Sequence, residues 1–258
     1  MTVLAVVFPP VCLACGTVEG NHSQPLCLCS ACRNRLTPVK VLPCALCGKA
    51  LKSNRLPAVF RCRSCWSAKS PIKQQFALWA YQPPLDSVIR ALKFNKMEFL
   101  GEQLAEALHH NYADELSEIN VVVPIPLHWC RRLKRGYNQA ESIAMPISSR
   151  LGAPLIRALR RRRSTRPQAQ LNREARLENL TSAFAPIPSK IRHLADRHVL
   201  LVDDVTTTGA TLRAATASLG LCNVKSVTVM TVGSTPDGPR LKNPQVLTTV
   251  GDTGFIRF

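Results

Sequence analysis

Residues 199 to 212 constrain the fold of this 258-residue chain more than any other stretch. Four apolar residues, Val-Leu-Leu-Val, run directly into Asp203 and Asp204. A continuously apolar run is typical of a strand that is buried on both faces of a parallel sheet. Because open α/β sheets bind ligands at the carboxyl ends of their strands, the two carboxylates are predicted to leave the strand at a ligand site.

The segment that follows these acids is rich in hydroxyl groups and small residues. Backbone N–H groups and hydroxyls at the start of a helix favour a phosphate dianion, and Gly209 allows a close backbone approach. Two adjacent carboxylates accept hydrogen bonds from a cis-diol. A strand end followed by an ordinary helix cap is the alternative, but it accounts for one Asp and one Thr only. The candidate phosphate-binding residues are Thr206, Thr207, Thr208, Gly209, Ala210 and Thr211.

Strand and helix patterns alternate along the rest of the carboxyl-terminal part of the chain. A helix from Leu212 to Leu219, capped by Gly220, and a strand from Val224 to Val232 predict a right-handed parallel crossover. Pro146 is expected to kink or split a helix over 139–151. Periodicity also predicts strands over 74–81 and 121–126 and helices over 85–93 and 100–113. The pattern is that of an α/β protein with a parallel sheet.

The cysteines are concentrated near the amino terminus, with nine of the eleven between residues 12 and 65. Eight of them form four C-x2-C pairs, separated by 13, 11 and 14 residues. Eight thiolates are sufficient for two closed tetrahedral Zn²⁺ sites, which fold a peptide rather than catalyse. The predicted ligands are Cys12, Cys15, Cys29, Cys32, Cys44, Cys47, Cys62 and Cys65.

Two features of these metal sites stay open at the level of sequence. Pairing in chain order gives two ribbons, which we favour, and alternating pairs give a cross-brace; the spacing does not decide between them. Cys27 lies two residues before Cys29 and could replace it through a C-x4-C spacing.

The chain is expected to be cytoplasmic, because no export signal and no apolar run near the ~20 residues of a transmembrane helix is visible. The apolar run from Val3 to Phe8 is short, lacks a preceding basic residue, and is closed by Pro9 and Pro10. In a reducing compartment, clustered cysteines favour metal over disulfides.

The formal net charge of +18, with an isoelectric point near 10.0, predicts an acidic partner such as phosphates, nucleic acid or anionic lipid. A basic loop over 127–139 follows the predicted strand at 121–126 and faces the same crevice as the two acids if the sheet is parallel. It would suit a pyrophosphate with a bridging Mg²⁺. A solvated basic loop is the alternative. Its cations are Arg131, Arg132, Lys134 and Arg135.

A second basic segment holds eight arginines between residues 157 and 176. Like-charge blocks rarely pack, so a mobile arm or hood is predicted that reaches phosphates of a small substrate or of a nucleic acid. The arm has no aromatic residue, so base stacking must come from elsewhere or be absent. Its central cations are Arg160, Arg161, Arg162, Arg163 and Arg166.

The loop at 203–211 closely resembles the phosphoribosyl pyrophosphate (PRPP) loop of type I phosphoribosyltransferases. Over about residues 6 to 230 the chain resembles the competence protein F (ComF/GntX) family. Besides the cysteine pairs and this loop, the resemblance includes Leu92-Lys93-Phe94, Val123-Pro-Ile-Pro-Leu127, Arg135-Gly-Tyr-Asn-Gln139 and the spaced set Thr165, Gln168, Leu171, Arg176, Asn179 and Phe184. Pro146, Cys27 and the tail after residue 232 depart from the pattern.

The resemblance implies a double zinc ribbon over residues 1–70 and a Rossmann-like, type I phosphoribosyltransferase domain over 71–258. It implies ribose contacts from Asp203 and Asp204, 5′-phosphate contacts from residues 206–211, a pyrophosphate loop over 123–136 and a hood over 160–176. Its association with natural transformation favours a PRPP-binding protein that acts in DNA uptake, with single-stranded DNA and other uptake proteins as partners.

Two other functions remain open. One is an active phosphoribosyltransferase, similar to an amidophosphoribosyltransferase, that transfers the pentosyl group to an unidentified nucleophile. The other is a zinc-stapled scaffold that only bridges partners. No strong general base is visible. His128 lies near the predicted pyrophosphate loop, but a single histidine in such a position is more often structural.

Overall fold

A parallel four-stranded sheet forms the centre of the computed structural model, which describes residues 11–18, 24–39, 71–162 and 183–235. Its order is β1-β6-β5-β2, and every neighbouring pair is parallel. A separate antiparallel pair joins β3 to β4. The predicted parallel sheet is therefore confirmed. The strands are β1 (Ile72–Ala80), β2 (Val121–Pro124), β3 (Leu159–Arg161), β4 (Phe184–Pro186), β5 (His198–Thr206) and β6 (Ser226–Ser234).

Helices cover both faces of the sheet and divide the buried residues into two cores. Leu200 and Val202 of β5 belong to the core that also contains the helices Leu85–Phe94 and Leu100–Tyr112, whereas Val199 and Leu201 belong to the core under the helix Ala210–Gly220. No helix in the described ranges is long and apolar enough to cross a bilayer. The helices are α1 (Ser30–Arg33), α2 (Leu85–Phe94), α3 (Leu100–Tyr112), α4 (Trp129–Arg135), α5 (Gln139–Leu151), α6 (Pro188–Ile191) and α7 (Ala210–Gly220), with 3-10 turns at Pro25–Cys27 and Asp114–Leu116.

The described part of the cysteine-rich region packs into the first of these cores. Leu26 and Leu28 are fully buried there, and the backbone N–H of Leu26 donates to Oε1 of Gln103 on α3 at 2.6 Å. The next segment lies along the edge of β1, where Pro38 forms a bridge with Trp79. This region therefore shares apolar packing with the sheet domain, and the boundary at residue 70 stays a prediction.

Three local expectations are wrong in detail. The basic loop after β2 contains the helix α4, which ends at Gly136 in the left-handed conformation (φ 85°). Helix α5 runs through Pro146 without the split that was one of the two expected outcomes, and Ile143 and Ile147 on either side of the proline are buried in the core. Gly220 is the last residue of α7 rather than the cap that follows it. The residue with a positive φ after this helix is Asn223.

Helix α3 crosses α5 at a glycine. A Cβ atom at Gly101 would lie 2.6 Å from the backbone oxygen of Ser142, so the two helices can approach this closely only without a side chain. At Gly220, by contrast, the nearest atom to a Cβ would be Cγ of Pro71 at 3.6 Å, an ordinary contact.

We expect Gly101→Ala to lower the free energy of unfolding by about 1–3 kcal/mol, because α3 and α5 must move apart. Gly220→Ala is the matched control, and we expect no loss or a gain of up to about 1 kcal/mol from helix propensity. Urea unfolding followed by circular dichroism measures both. Equal stability of the two variants would contradict the close crossing.

Candidate functional site

The two acids lie inside β5, near its carboxyl end, rather than after it. Pairing with β6 continues through Asp203 with Thr231 and ends at Thr206 with Ser234. The neighbouring strand β2 ends at Pro124, opposite Val202. The acids and the segment that follows β2 therefore meet at one edge of the sheet, as a parallel sheet requires.

Asp204 is buried, and both of its carboxylate oxygens have partners. Nζ of Lys93 lies 2.8 Å from Oδ2, and the backbone N–H of Val205 donates to Oδ1 at 2.7 Å. Lys93 belongs to the last turn of α2, whose apolar face packs in the core and presents this lysine to the sheet edge. Lys93 belongs to the Leu92-Lys93-Phe94 motif of the family resemblance, which assigns it no role. A basic residue at the end of the helix that follows β1 was the available signal.

Asp203 is half-buried and has one oxygen engaged, because Oδ1 accepts from the backbone N–H of Asp204 at 2.9 Å. Burial of the carboxyl group and the adjacent Asp204 charge raise its pKa to about 8, although Lys93 and Arg161 oppose the shift. A carboxyl group with this surplus of negative charge beside it gains from a ligand that donates hydrogen bonds or brings a cation.

The threonine loop forms the amino-terminal end of α7. Thr206 is buried, and its hydroxyl has no partner among the residues the structure describes, whereas Thr207 and Thr208 are exposed. Gly209 precedes the helix with φ 67°, and Ala210 and Thr211 begin it. Within the described ranges, the backbone N–H groups of residues 207, 208 and 209 donate to no acceptor. Such free donors at a helix amino terminus suit an anion.

Helix α4 distributes the four predicted loop cations over several directions. Arg131, Arg132 and Lys134 are exposed. Arg135 is half-buried, donates to Oε1 of Gln139 at 2.9 Å, and has its guanidinium 4.9 Å from the centre of the Phe94 ring. Burial lowers the pKa of Arg135, Asp204 opposes this change, and Arg131 adds to it. Among the four loop cations, Arg135 is therefore the one whose pKa is visibly affected by Asp204.

The predicted arginine arm begins as a strand, which corrects part of that expectation. Arg160 and Arg161 belong to β3, since Leu159 is buried and Arg161 pairs with Phe184 of β4. Arg160 and Arg162 are exposed, and the guanidinium of Arg161 lies 5.5 Å from the centre of the Phe184 ring. Arg163 and Arg166 lie outside the described residues.

Arg161 also takes part in the electrostatics of the sheet edge. Burial lowers its pKa, Arg131 adds to this change, and Asp203 opposes it. Its Nε atom is buried without an acceptor in the part of the chain that is described. The two basic segments thus converge, because a cavity of about 300 Å³ has Arg132 of α4 and Arg160 and Arg161 of β3 among its lining residues.

Four cysteines form a compact cluster at the amino-terminal end of α1, which contains one of them, Cys32. The Sγ atoms of Cys12, Cys15, Cys29 and Cys32 lie within 4.8 Å of one another, and those of Cys15 and Cys29 are 3.7 Å apart. A tetrahedron with Zn–S bonds of about 2.3 Å has an edge of about 3.8 Å, so the cluster fits Zn²⁺.

The first two pairs in chain order share this cluster, which agrees with the ribbon pairing that we favoured. Cys29 belongs to it and Cys27 does not. The other predicted ligands, Cys44, Cys47, Cys62 and Cys65, lie outside the described residues.

His128 has a structural position at the start of α4. As the N-cap residue, its Nδ1 accepts from the backbone N–H of Cys130 at 3.4 Å. This contact supports the interpretation of His128 as a helix-capping residue.

The fold and the cysteine cluster, together with two family profiles, define the class of protein, a double zinc ribbon joined to a phosphoribosyltransferase-type domain. Residues 3–66 match the family profile described as "Double zinc ribbon domain", and residues 138–252 match "Phosphoribosyl transferase domain". The chain is 30% identical over 226 residues to "Competence protein F" of Haemophilus influenzae, which covers 84% of this chain and 94% of that protein. The chain belongs to the competence protein F family.

Two further relatives extend the comparison. The "DNA utilization protein YhgH" of Escherichia coli is 32% identical over 192 residues, 72% of this chain and 80% of that protein. A crystal structure of a hypothetical protein from Neisseria gonorrhoeae with bound ppGpp is 13% identical, with a TM-score of 0.37, and covers 56% of this chain and 74% of that one.

We expect Cys32→Ser to lose one of two bound zinc ions and to destabilise the sheet domain by more than about 2 kcal/mol, because the cluster and the sheet share a core. Cys27→Ser is the matched control and should keep both ions. Elemental analysis and thermal unfolding measure the two effects. Retention of both ions by Cys32→Ser would contradict the assignment.

We expect Lys93→Met to cost about 1–3 kcal/mol of unfolding free energy, because it leaves the buried Asp204 carboxylate without its cation. Lys73→Met removes an ion pair of similar length, 2.7 Å to Glu118, in which both side chains are exposed. That control should change stability by less than about 1 kcal/mol. Urea unfolding at pH 7 measures both, and equal losses would argue against a structural role for Lys93.

Proposed function

We propose that this protein binds PRPP at the carboxyl edge of its sheet. Asp203 and Asp204 would accept hydrogen bonds from the ribose hydroxyls, and residues 206–211 would hold the 5′-phosphate. The observation that carries the proposal is that the two carboxylates at the end of the inner strand β5 are followed directly by a loop that has free N–H donors at a helix amino terminus.

The charges around the site fit both ends of this ligand. A cis-diol donates hydrogen bonds to carboxylates and adds no negative charge beside Asp203, whose pKa is already raised by burial and by Asp204. A pyrophosphate group requires cations, and the acid pair interacts with two of them, since Asp204 raises the pKa of Arg135 and Asp203 raises that of Arg161. Arg132 and Lys134 of the same helix would extend the basic surface.

Mg²⁺ is the cofactor that we propose with PRPP. It prefers oxygen ligands, and the half-buried Asp203 has an oxygen with no partner among the described residues. When bound, the ion would neutralise charge on the pyrophosphate oxygens. The protein itself would orient the sugar through its acids and threonine loop.

We further propose that PRPP binding serves the handling of DNA in the cytoplasm. The proposal is supported by the names of relatives, "Competence protein F" and "DNA utilization protein YhgH", and by the net charge of +18, which favours a polyanionic partner. A thiolate zinc cluster also favours a reducing compartment.

Turnover of PRPP is a second candidate function, favoured by the complete acid pair and threonine loop. Such a reaction would displace pyrophosphate from C1 of the ribose, and the protein would contribute positioning and stabilisation of charge on the leaving group. Release of pyrophosphate from PRPP, with ammonia and small amines as trial nucleophiles, separates this candidate from binding alone.

We expect PRPP with Mg²⁺ to bind to the zinc-loaded protein at pH 9, above the Asp203 pKa of about 8, and Asp203→Ala to weaken this binding by about 1.5–3 kcal/mol through loss of a charge-assisted hydrogen bond. Asp114→Ala removes an exposed carboxylate that is distant from Asp203 in the sequence. It is the control and should bind PRPP like the wild type. Isothermal titration calorimetry measures both. Unchanged affinity in Asp203→Ala would remove the ribose assignment.

A further inference from the structure

None of the seven residues of helix α4 is buried. Its first residue, Trp129, is 65% exposed, although large aromatic side chains normally bury most of their surface. Trp129 therefore contributes little to the core. An exposed tryptophan on a surface helix with four cations, and without an acid, indicates a binding surface for a partner that is both flat and anionic.

The cavity beside this tryptophan has the matching composition. Trp129 lines the 300 Å³ cavity together with Arg132, Arg160 and Arg161, and Leu127 and Leu159 supply apolar walls. This volume is at the lower end of ordinary ligand sites, which suits a single nucleotide unit. The buried Nε of Arg161 has no acceptor within the described ranges, so a polar group is still required there.

We propose that Trp129 is a stacking platform for a base of single-stranded DNA, with Arg132, Arg160 and Arg161 on the adjacent phosphates. Arginines and an aromatic ring on one surface are the combination that single strands require, because bases stack while the backbone is neutralised. Duplex DNA keeps its bases stacked on one another and does not offer one to a surface tryptophan. The proposal rests on the DNA-handling part of the proposed function, but not on PRPP binding.

The position of the platform also links the two ligands. Arg131 of the same helix lowers the pKa of both Arg161 and Arg135, and these two values are raised by Asp203 and Asp204 respectively. A strand of DNA on α4 and β3 would therefore compete for cations with a pyrophosphate at the sheet edge. Each ligand is expected to weaken the other by the same factor.

The surface offers a matched control. Phe99 is also an exposed aromatic residue, at 53%, but it lines a different cavity. Glu141 lines both cavities and is paired with Arg157, whereas the cavity of Phe99 is lined in addition by Glu98 and Glu102. These acids repel a phosphate backbone, so Phe99 should not contribute to DNA binding.

The test is fluorescence anisotropy with a labelled 20-mer of deoxythymidine, an abasic 20-mer and a duplex, on the full zinc-loaded chain. We expect Trp129→Ala to weaken binding of the deoxythymidine strand by about 5- to 150-fold, the range for one lost stacked base, and Phe99→Ala to leave it unchanged. The abasic strand should bind both variants equally. Arg132→Gln should lower the log–log salt slope by about 0.7, whereas Trp129→Ala should keep the wild-type slope.

Trp129→Phe is the variant that separates stacking from loss of fold. It should keep most of the affinity for the deoxythymidine strand but lose the quenching of tryptophan emission that this strand causes in the wild type. Equal affinity of Trp129→Ala and Phe99→Ala, preferential binding of the duplex, or the same loss on the abasic strand would overturn the proposal. Failure of PRPP to bind would affect the proposed function and leave this result standing.

Discussion

Burial of β5 on both faces is the constraint on which the rest of the structure depends. Its side chains alternate between two apolar cores, so helices must cover both sides of the sheet. Asp203 and Asp204 lie near the carboxyl end of this strand, where open α/β sheets form their ligand crevice. The site is therefore a consequence of the same burial that stabilises the fold.

Two adjacent carboxylates at the end of such a strand repel each other, and cations from neighbouring elements offset part of this repulsion. Lys93 comes from α2 and pairs with Asp204, whereas Arg161 comes from β3 and opposes the shift of the Asp203 pKa. The compensation is incomplete, since the pKa of Asp203 stays high. Incomplete compensation at a sheet edge is typical of ligand sites, where a bound group completes the charge balance.

The zinc cluster has a different role, because it fixes a segment too short to fold alone. Leu26 takes a left-handed backbone conformation (φ 60°) between the two cysteine pairs and is nevertheless fully buried against α3. Four thiolates around one ion can hold this strained turn in place, and the turn then completes the core that supports Lys93. Metal binding and the order of the ligand site are thereby connected through shared packing.

The amino-acid sequence determined the elements whose signals are local. The apolar run of β5, the acids and glycine after it, the helical periodicity of α2 and α3, and the first two C-x2-C pairs all identified themselves by composition and spacing. Local patterns suffice there because burial on both faces and tetrahedral coordination each demand a short contiguous set of residue types.

Contacts between distant segments were decided only by the tertiary structure. The ion pair of Lys93 with Asp204 joins residues more than a hundred positions apart. The sequence predicted that Arg160 and Arg161 belong to a mobile arm, whereas in the structure they form a strand that pairs with the strand of Phe184. Charge clustering likewise concealed α4, since it indicates exposure but not backbone conformation. The sequence thus determined which chemical groups the protein has at its sheet edge, whereas their pairing depended on how the chain packs, which no local pattern records.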